Sequence, residues 1–345
     1  MRNIIKTLAQ VDAIQVEEGR RMFSAQHEEI VSGATTDIYF VKTQEILAQR
    51  GLENTVVTAE IFARREGVLA GITETLALLQ DCPVEIWALQ EGQAFAAKEV
   101  VMRLKGRYCD FGIYETAILG ILASSSGWAT AAREIKKAAG EKGVLCFGAR
   151  HVHPAVAPVM EKAAVIGGAD GASCILGAKL AGKEPSGTVP HAIFLIMGDT
   201  VEVARAYHEI MPSTAPRTVL VDTFKDEAEE ALRVAEALGP ALEGIRLDTP
   251  SERGGVTPGL VKEVRARLDQ AGFQHVKIFV SGGLDPERII LLKEAGADAF
   301  GVGSYISGAP AIDMTMDLKE IEGKPVAKRG RIPGITPTER LVKMK

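Results

Sequence analysis

Two glycine-rich turns stand near the carboxyl-terminal end of the chain, "FVSGGLDPERI" at 279–289 and "FGVGSYI" at 300–306. Each reads as a strand, a glycine turn and then a helix or helical turn. Glycines let backbone N–H groups converge on an anion, and a helix N-terminus adds partial positive charge. Two such turns on consecutive final strands form the phosphate site of parallel barrels. Ser281, Gly282, Gly283, Gly301, Gly303 and Ser304 are therefore candidate phosphate ligands. Taken singly, either turn would be explained by tight strand-to-helix geometry. The G-x-G of "GVGS" is no dinucleotide fingerprint, because the third glycine is misplaced and the unit comes last, not first.

Further polar residues sit beside apolar runs. "GIRLDT" (244–249) places Arg246 and Asp248 on one face of a strand. An arginine can clamp a phosphate or stack on a ring, and a carboxylate can accept from two vicinal hydroxyls. Together they read as a ribose-phosphate reader, or as an internal ion pair at a barrel rim. "LVDTF" (220–224) offers Asp222 in the same way, as a buried carboxylate or a contact to magnesium and sugar. "SGTVPHAIF" (186–194) puts His191 at the start of an apolar strand, where a structural role is the plain alternative. "TTDIYF" (35–40) sets Tyr39 between apolar neighbours, as in a core. "FGARHVHP" (147–154) packs Arg150, His151 and His153 into four residues. Zinc needs three or four ligands, and no further cluster lies near in sequence, so an anion held by Arg150 is the better reading. "DFG" at 110–112 has no kinase context and is read as coincidence.

These residues need a frame that brings them together. Apolar runs recur at 144–149, 171–176, 191–197, 218–223, 243–249, 276–282 and 299–304. Between most of them lie helical segments, clearest at 199–211, 226–238, 258–272 and 285–296. Alternating β and α units predict a parallel sheet covered by helices, with function at the strand C-terminal ends. About seven strands suggest an irregular open α/β barrel over residues 116–309. Residues 1–115 read differently. A strand is expected at 54–63, a helical stripe over 65–80 and a strand at 83–89. A long small-residue helix over 115–140 is expected to break near 124–127. The segment 310–345 looks like a hairpin that completes the N-terminal α/β domain, which is sandwich-like.

Composition excludes some classes. The 345 residues are 46% hydrophobic and 25% charged, with net charge −5, so no nucleic-acid footprint is visible. Cys82, Cys109, Cys146 and Cys174 are widely spaced without a C-x-x-C pair, which fits free thiols in a reducing cytoplasm. No signal peptide and no membrane-spanning run are expected.

Taken in order, "TDIYFVKT", "ETAILGIL…ATAAREIK", "FGARHVHP", "GTVPHA", "VDTF", "GIRLDT", "SGGLD" and "GVGS" form a specific set. With it the chain resembles the nicotinate phosphoribosyltransferases, in their short archaeal/bacterial-like form, over nearly its whole length. The resemblance implies a type II phosphoribosyltransferase fold and a homodimer or higher homo-oligomer with shared active sites. Implied substrates are nicotinate, 5-phosphoribosyl 1-pyrophosphate and ATP. Mg²⁺ would accompany the pyrophosphate. The product would be nicotinate mononucleotide, within NAD biosynthesis.

The resemblance also implies roles. Tyr39, from a neighbouring subunit, and Phe147 would sandwich the pyridine ring. Arg150 would bind substrate anions, with His153 and Thr188 beside it. His191 would be phosphorylated by ATP. Arg246 would contact phosphate or ring, and Asp248 the ribose hydroxyls. Asp222 would lie near the sugar, and the two turns would cradle the 5′-phosphate. The C-terminal cysteine knuckle of some relatives has no counterpart here, so no structural zinc is expected. His151 and His153 stand where longer relatives place arginine. A nicotinamide- or quinolinate-specific enzyme is the alternative activity, and a ribose-phosphate-sensing regulator the non-enzymatic one.

Overall fold

The computed structural model describes residues 4–345. They form two compact units. One takes the chain up to Thr130 together with Pro310–Lys345, the other Ala131–Ala309.

The first unit is built on a six-stranded antiparallel sheet. Its strands run in the order Lys324–Pro325, Met314–Ile321, Val56–Ala63, Val100–Arg107, Glu85–Ala88 and Val342–Lys343. Ile61, Ile86, Met102 and Leu104 are fully buried, as alternating strands with one face on a core require. The helical stripe expected over 65–80 is shorter than its spacing suggests. Gly67–Val68 pairs with Ala94–Phe95, Gly71 takes a left-handed φ of 95°, and the helix is confined to Ile72–Leu78.

The long helix Glu115–Ala139 is continuous, without the expected break at 124–127. The small residues there serve close packing. A Cβ on Gly127 would stand 2.5 Å from the Pro310 carbonyl oxygen. Ser126 Oγ accepts from the Ala70 N–H at 3.1 Å. The early turns also carry Ile118 and Leu122 into the first unit's core. The division of the chain therefore falls between Thr130 and Ala131, inside this helix, not at 115/116.

The second unit is an open α/β barrel. Six parallel strands lie in the order Gly171–Ala172, Gly143–Cys146, Ala299–Val302, Lys277–Ser281, Gly244–Leu247 and Thr218–Leu220. Val144, Cys146, Ile245, Leu247, Ile278, Val280, Phe300 and Val302 are buried to the last per cent. The helices Thr200–Ile210, Glu227–Leu238, Pro258–Gln270 and Pro286–Glu294 begin at Asp199, Asp226, Thr257 and Asp285. Each of those four side chains accepts from backbone N–H groups of the first turn, the usual way of satisfying donors that have no helical partner.

The apolar run at 191–197, expected as a seventh strand, is the helix His191–Met197. Only Phe194 of this run is buried, while Leu195 and Ile196 are exposed. Its hydrophobicity is therefore not that of a strand covered on both faces. Gly198, in the left-handed region, ends the helix and returns its N–H to the Phe194 carbonyl.

Candidate functional site

Parallel strands end on the same side, so the second unit gathers its strand-end residues around one cleft of about 440 Å³. The last strand in sequence pairs with the first, Ala299–Val302 against Gly143–Cys146. That pairing sets the 301–304 turn beside Phe147, whose N–H donates to the Val302 carbonyl at 2.8 Å. Phe147, Arg150, Thr188, His191, Arg246 and Asp248 all line the cleft, as do the glycines and serines of both turns.

Arg246 is the centre of the polar network. Its Nε donates to Ser281 Oγ at 2.8 Å, Nη1 to Thr188 Oγ1 at 2.9 Å and Nη2 to Asp248 Oδ2 at 3.3 Å. Ser281 Oγ in turn donates to Asp248 Oδ1 at 2.8 Å. The guanidinium also lies 5.1 Å from the centroid of the Phe147 ring, within reach of a cation–π contact. Burial lowers the Arg246 pKa; the Asp248 and Asp222 carboxylates oppose that, and Arg150 adds to it. The rim ion pair expected as one reading of "GIRLDT" is present, and it faces the cleft.

His191 stands at the first turn of its helix, with Nε2 3.1 Å from Asp222 Oδ2. The imidazole is 41% exposed, the carboxylate 1%. Burial raises the Asp222 pKa, and the bond from His191 partly opposes it. Asp222 Oδ1 is buried without a hydrogen-bond partner. In the tautomer with its proton on Nε2, His191 would donate to Asp222 and keep the Nδ1 lone pair.

The two turns differ in construction. Gly282 and Gly283 have φ of 95° and 59°, and Arg288 Nη1 donates to the Gly283 carbonyl at 2.8 Å. Gly301 has no such backbone. A Cβ there would stand 2.5 Å from Phe147 Cε2 and 3.1 Å from Phe279 Cε1. A Cβ on Gly303 would meet His151 Cε1 at 2.7 Å and the Phe147 carbonyl oxygen at 3.0 Å.

Not every expected residue arrives. His153 is outside the cleft lining, and its Nδ1 accepts from the Ala155 N–H at 3.2 Å. Tyr39 belongs to the first unit, on the helix Ile38–Gln49, and is exposed, so it is not a core tyrosine. Residues 149–151 form a turn of 3-10 helix, so His151 and His153 do not share a strand face. Among the described residues, no group of three His, Cys, Asp or Glu side chains could hold a metal ion. Two polar lining residues had no role assigned from the sequence. His151 was visible in "FGARHVHP" and its Nδ1 pairs with Ser307 Oγ at 3.2 Å. Ser173 had no local signal.

Residues 37–126 match the family described as quinolinate phosphoribosyl transferase, N-terminal domain, and residues 128–317 match its C-terminal domain. A nicotinate phosphoribosyltransferase of Mycobacterium tuberculosis is 28% identical over 340 residues, covering 86% of this chain and 75% of its own length. That of Bacillus subtilis is 29% identical and covers 79% of this chain and 58% of its own. The crystal structure of nicotinate-nucleotide pyrophosphorylase from Pyrococcus furiosus is 46% identical, with a TM-score of 0.87 over 92% of this chain and 82% of its own.

Proposed function

The chain belongs to the quinolinate phosphoribosyl transferase family, and from that premise we propose that its cleft transfers phosphoribose from 5-phosphoribosyl 1-pyrophosphate to nicotinate. The observation that carries the choice of nicotinate is the His191–Asp222 pair at the cleft. Quinolinate loses carbon dioxide on transfer, and that loss drives its reaction forward. Nicotinate keeps its carboxylate and lacks that drive. A nucleophilic histidine, phosphorylated by ATP at Nδ1 and hydrolysed once per cycle, would supply it.

In this reading the C1′–oxygen bond to pyrophosphate breaks and a bond from C1′ to the ring nitrogen forms. The nitrogen carries no proton, so no general base is needed. The protein positions the partners and stabilises charge. Arg246, fixed by Ser281, Thr188 and Asp248, addresses phosphate or ring, and the remaining lone pairs of Asp248 accept from ribose hydroxyls. The turns at 281–283 and 301–304 receive the 5′-phosphate. Arg150 meets the pyridine carboxylate. Mg²⁺ arriving with the pyrophosphate would neutralise its charge, and Asp248, a carboxylate that lines the cleft, would face such an ion. Tyr39 as a ring partner from a second subunit is part of the same proposal.

Quinolinate is the second reading. The family descriptions name it, and the 46%-identical structure bears a name that covers either substrate. By name, the family descriptions favour quinolinate over nicotinate. Arg150 beside His151, with Arg150 Nε 3.4 Å from His151 Nε2, would offer two groups to two carboxylates.

Pyrophosphate release with nicotinate, nicotinamide or quinolinate, each with and without ATP, separates these readings. The expected result is release with nicotinate, stimulated by ATP, and a His191→Ala variant that keeps slow synthesis without stimulation. Release with quinolinate alone, accompanied by carbon dioxide, replaces the first reading by the second. No release with any of them leaves a ribose-phosphate binder.

A further inference from the structure

The helix Ala157–Gly167 is apolar nearly all round, with Ala157, Met160, Ala163, Ala164 and Gly167 buried. Within it Glu161 has no exposed surface at all. A buried carboxylate is costly unless it is paired or well hydrogen-bonded. The donors that Glu161 meets are neutral. Oε1 accepts from the Ala149 N–H at 3.2 Å and from Ser173 Oγ at 3.1 Å, and Oε2 accepts from the Cys174 N–H at 2.6 Å. Burial pushes its pKa up, while the Cys174, Ser173 and Ala149 donors pull it back.

The donors come from two loops. Ala149 follows the strand Gly143–Cys146, and Ser173 and Cys174 follow the edge strand Gly171–Ala172. Ala149 and Ser173 line the cleft, and Ala149 lies between Phe147 and Arg150. The edge strand is held by a ladder of only two residue pairs, Leu145 with Gly171 and Cys146 with Ala172. Two glycines let the helix come close enough to reach both loops. A Cβ on Gly148 would stand 2.6 Å from Met160 Cε, and one on Gly177 3.1 Å from Glu161 Cβ.

We propose that Glu161 is the positioning residue for the pyridine end of the cleft, fixing the Phe147–Arg150 loop against the Ser173 turn. It touches no substrate and acts through the backbone it holds. The proposal rests on the phosphoribosyl-transfer reading above.

Steady-state kinetics on the full chain test it, with the pyridine carboxylate and the phosphoribosyl donor varied in turn. Glu161→Gln keeps the shape but turns an amide NH₂ toward at least one donor. Its KM for the pyridine carboxylate is expected to rise about tenfold, with the donor KM changed less than about twofold. Ser173→Ala removes the hydroxyl bond to Oε1 and should raise the same KM about threefold, which keeps the test open if Glu161→Gln does not fold. If the two KM values move together, or neither moves in the folded variants, Glu161 has no such role. An inactive wild type with every pyridine carboxylate overturns the reading of the cleft, and this proposal with it. An active wild type with unselective variants overturns this proposal alone.

Discussion

The turns Ser281–Gly283 and Gly301–Ser304 border one cleft and look alike as strings of glycine and serine, yet their glycines answer different demands. At 282 and 283 the backbone itself requires glycine, since both positions have positive φ. At 301 and 303 φ lies outside the left-handed region, and the missing side chain makes room for the Phe147 ring and the His151 imidazole. One turn is shaped by its own main chain, the other by side chains from the neighbouring strand end. The first belongs to the phosphate end of the proposed site. In that proposed site the second would also set where the pyridine ring lies.

The comparison is broken most directly at Gly301. In Gly301→Ala the new methyl must displace the Phe147 ring, which is already hemmed in by Phe279 and Arg246. A stability loss of about 3 kcal/mol, the upper end of overpacking costs, is expected in urea unfolding. In the folded fraction, KM for the pyridine carboxylate should rise before that for the phosphoribosyl donor. Adding Phe147→Leu should recover part of the stability, with a coupling between the two changes. A Gly301→Ala protein of unaltered stability would mean that the turn has slack and that its glycines serve the backbone after all.

The Gly282→Ala change reads the other turn. At φ 95° alanine is strained, and its Cβ would lie 3.3 Å from Asp248 Oδ1. The backbone term is about 1–2 kcal/mol, less than the ring clash. The kinetic effect should fall on the opposite substrate, with the KM for the phosphoribosyl donor raised and that for the pyridine carboxylate unchanged. A shift in the pyridine KM instead would erase the distinction between the two ends.

Much of this was readable in the residues, for physical reasons that differ by region. The parallel strands and their helices announce themselves because strands covered on both faces are unbroken apolar runs, and helices capped by Asp or Thr carry a 3.6-residue stripe. The same rule misread 191–197, an apolar segment whose Leu195 and Ile196 are at the surface. Arg246, Asp248 and His191 could be picked out as polar residues beside apolar runs, and all three line the cleft. Ser173 could not, since a serine in "GASC" has no distinctive neighbours. Glu161 did leave a trace, a lone carboxylate amid "APVMEKAAVIG", but its partners lie 12 and 13 residues away along the chain. The role of the glycine at 301 was equally hidden. A string shows that glycine is present and not whether the backbone or a neighbour demands it.

Gly283→Asn carries the smallest expected effect, and its position allows the finest discrimination. Its φ of 59° falls in the left-handed well that asparagine tolerates best among residues with a side chain, whereas a β-branched residue there is a true outlier. The nearest atom to an added Cβ is Arg288 Nη1 at 3.3 Å, the far end of a flexible side chain. Gly283→Asn should therefore lie within about 0.5 kcal/mol of the parent in urea unfolding, while Gly283→Val should lose about 2 kcal/mol. The donor KM should follow the same order, because the N–H groups of this turn are aimed by its backbone angles. If asparagine and valine were equally harmful, the demand at 283 would be for space, as at 301, and the two turns would be one kind of structure.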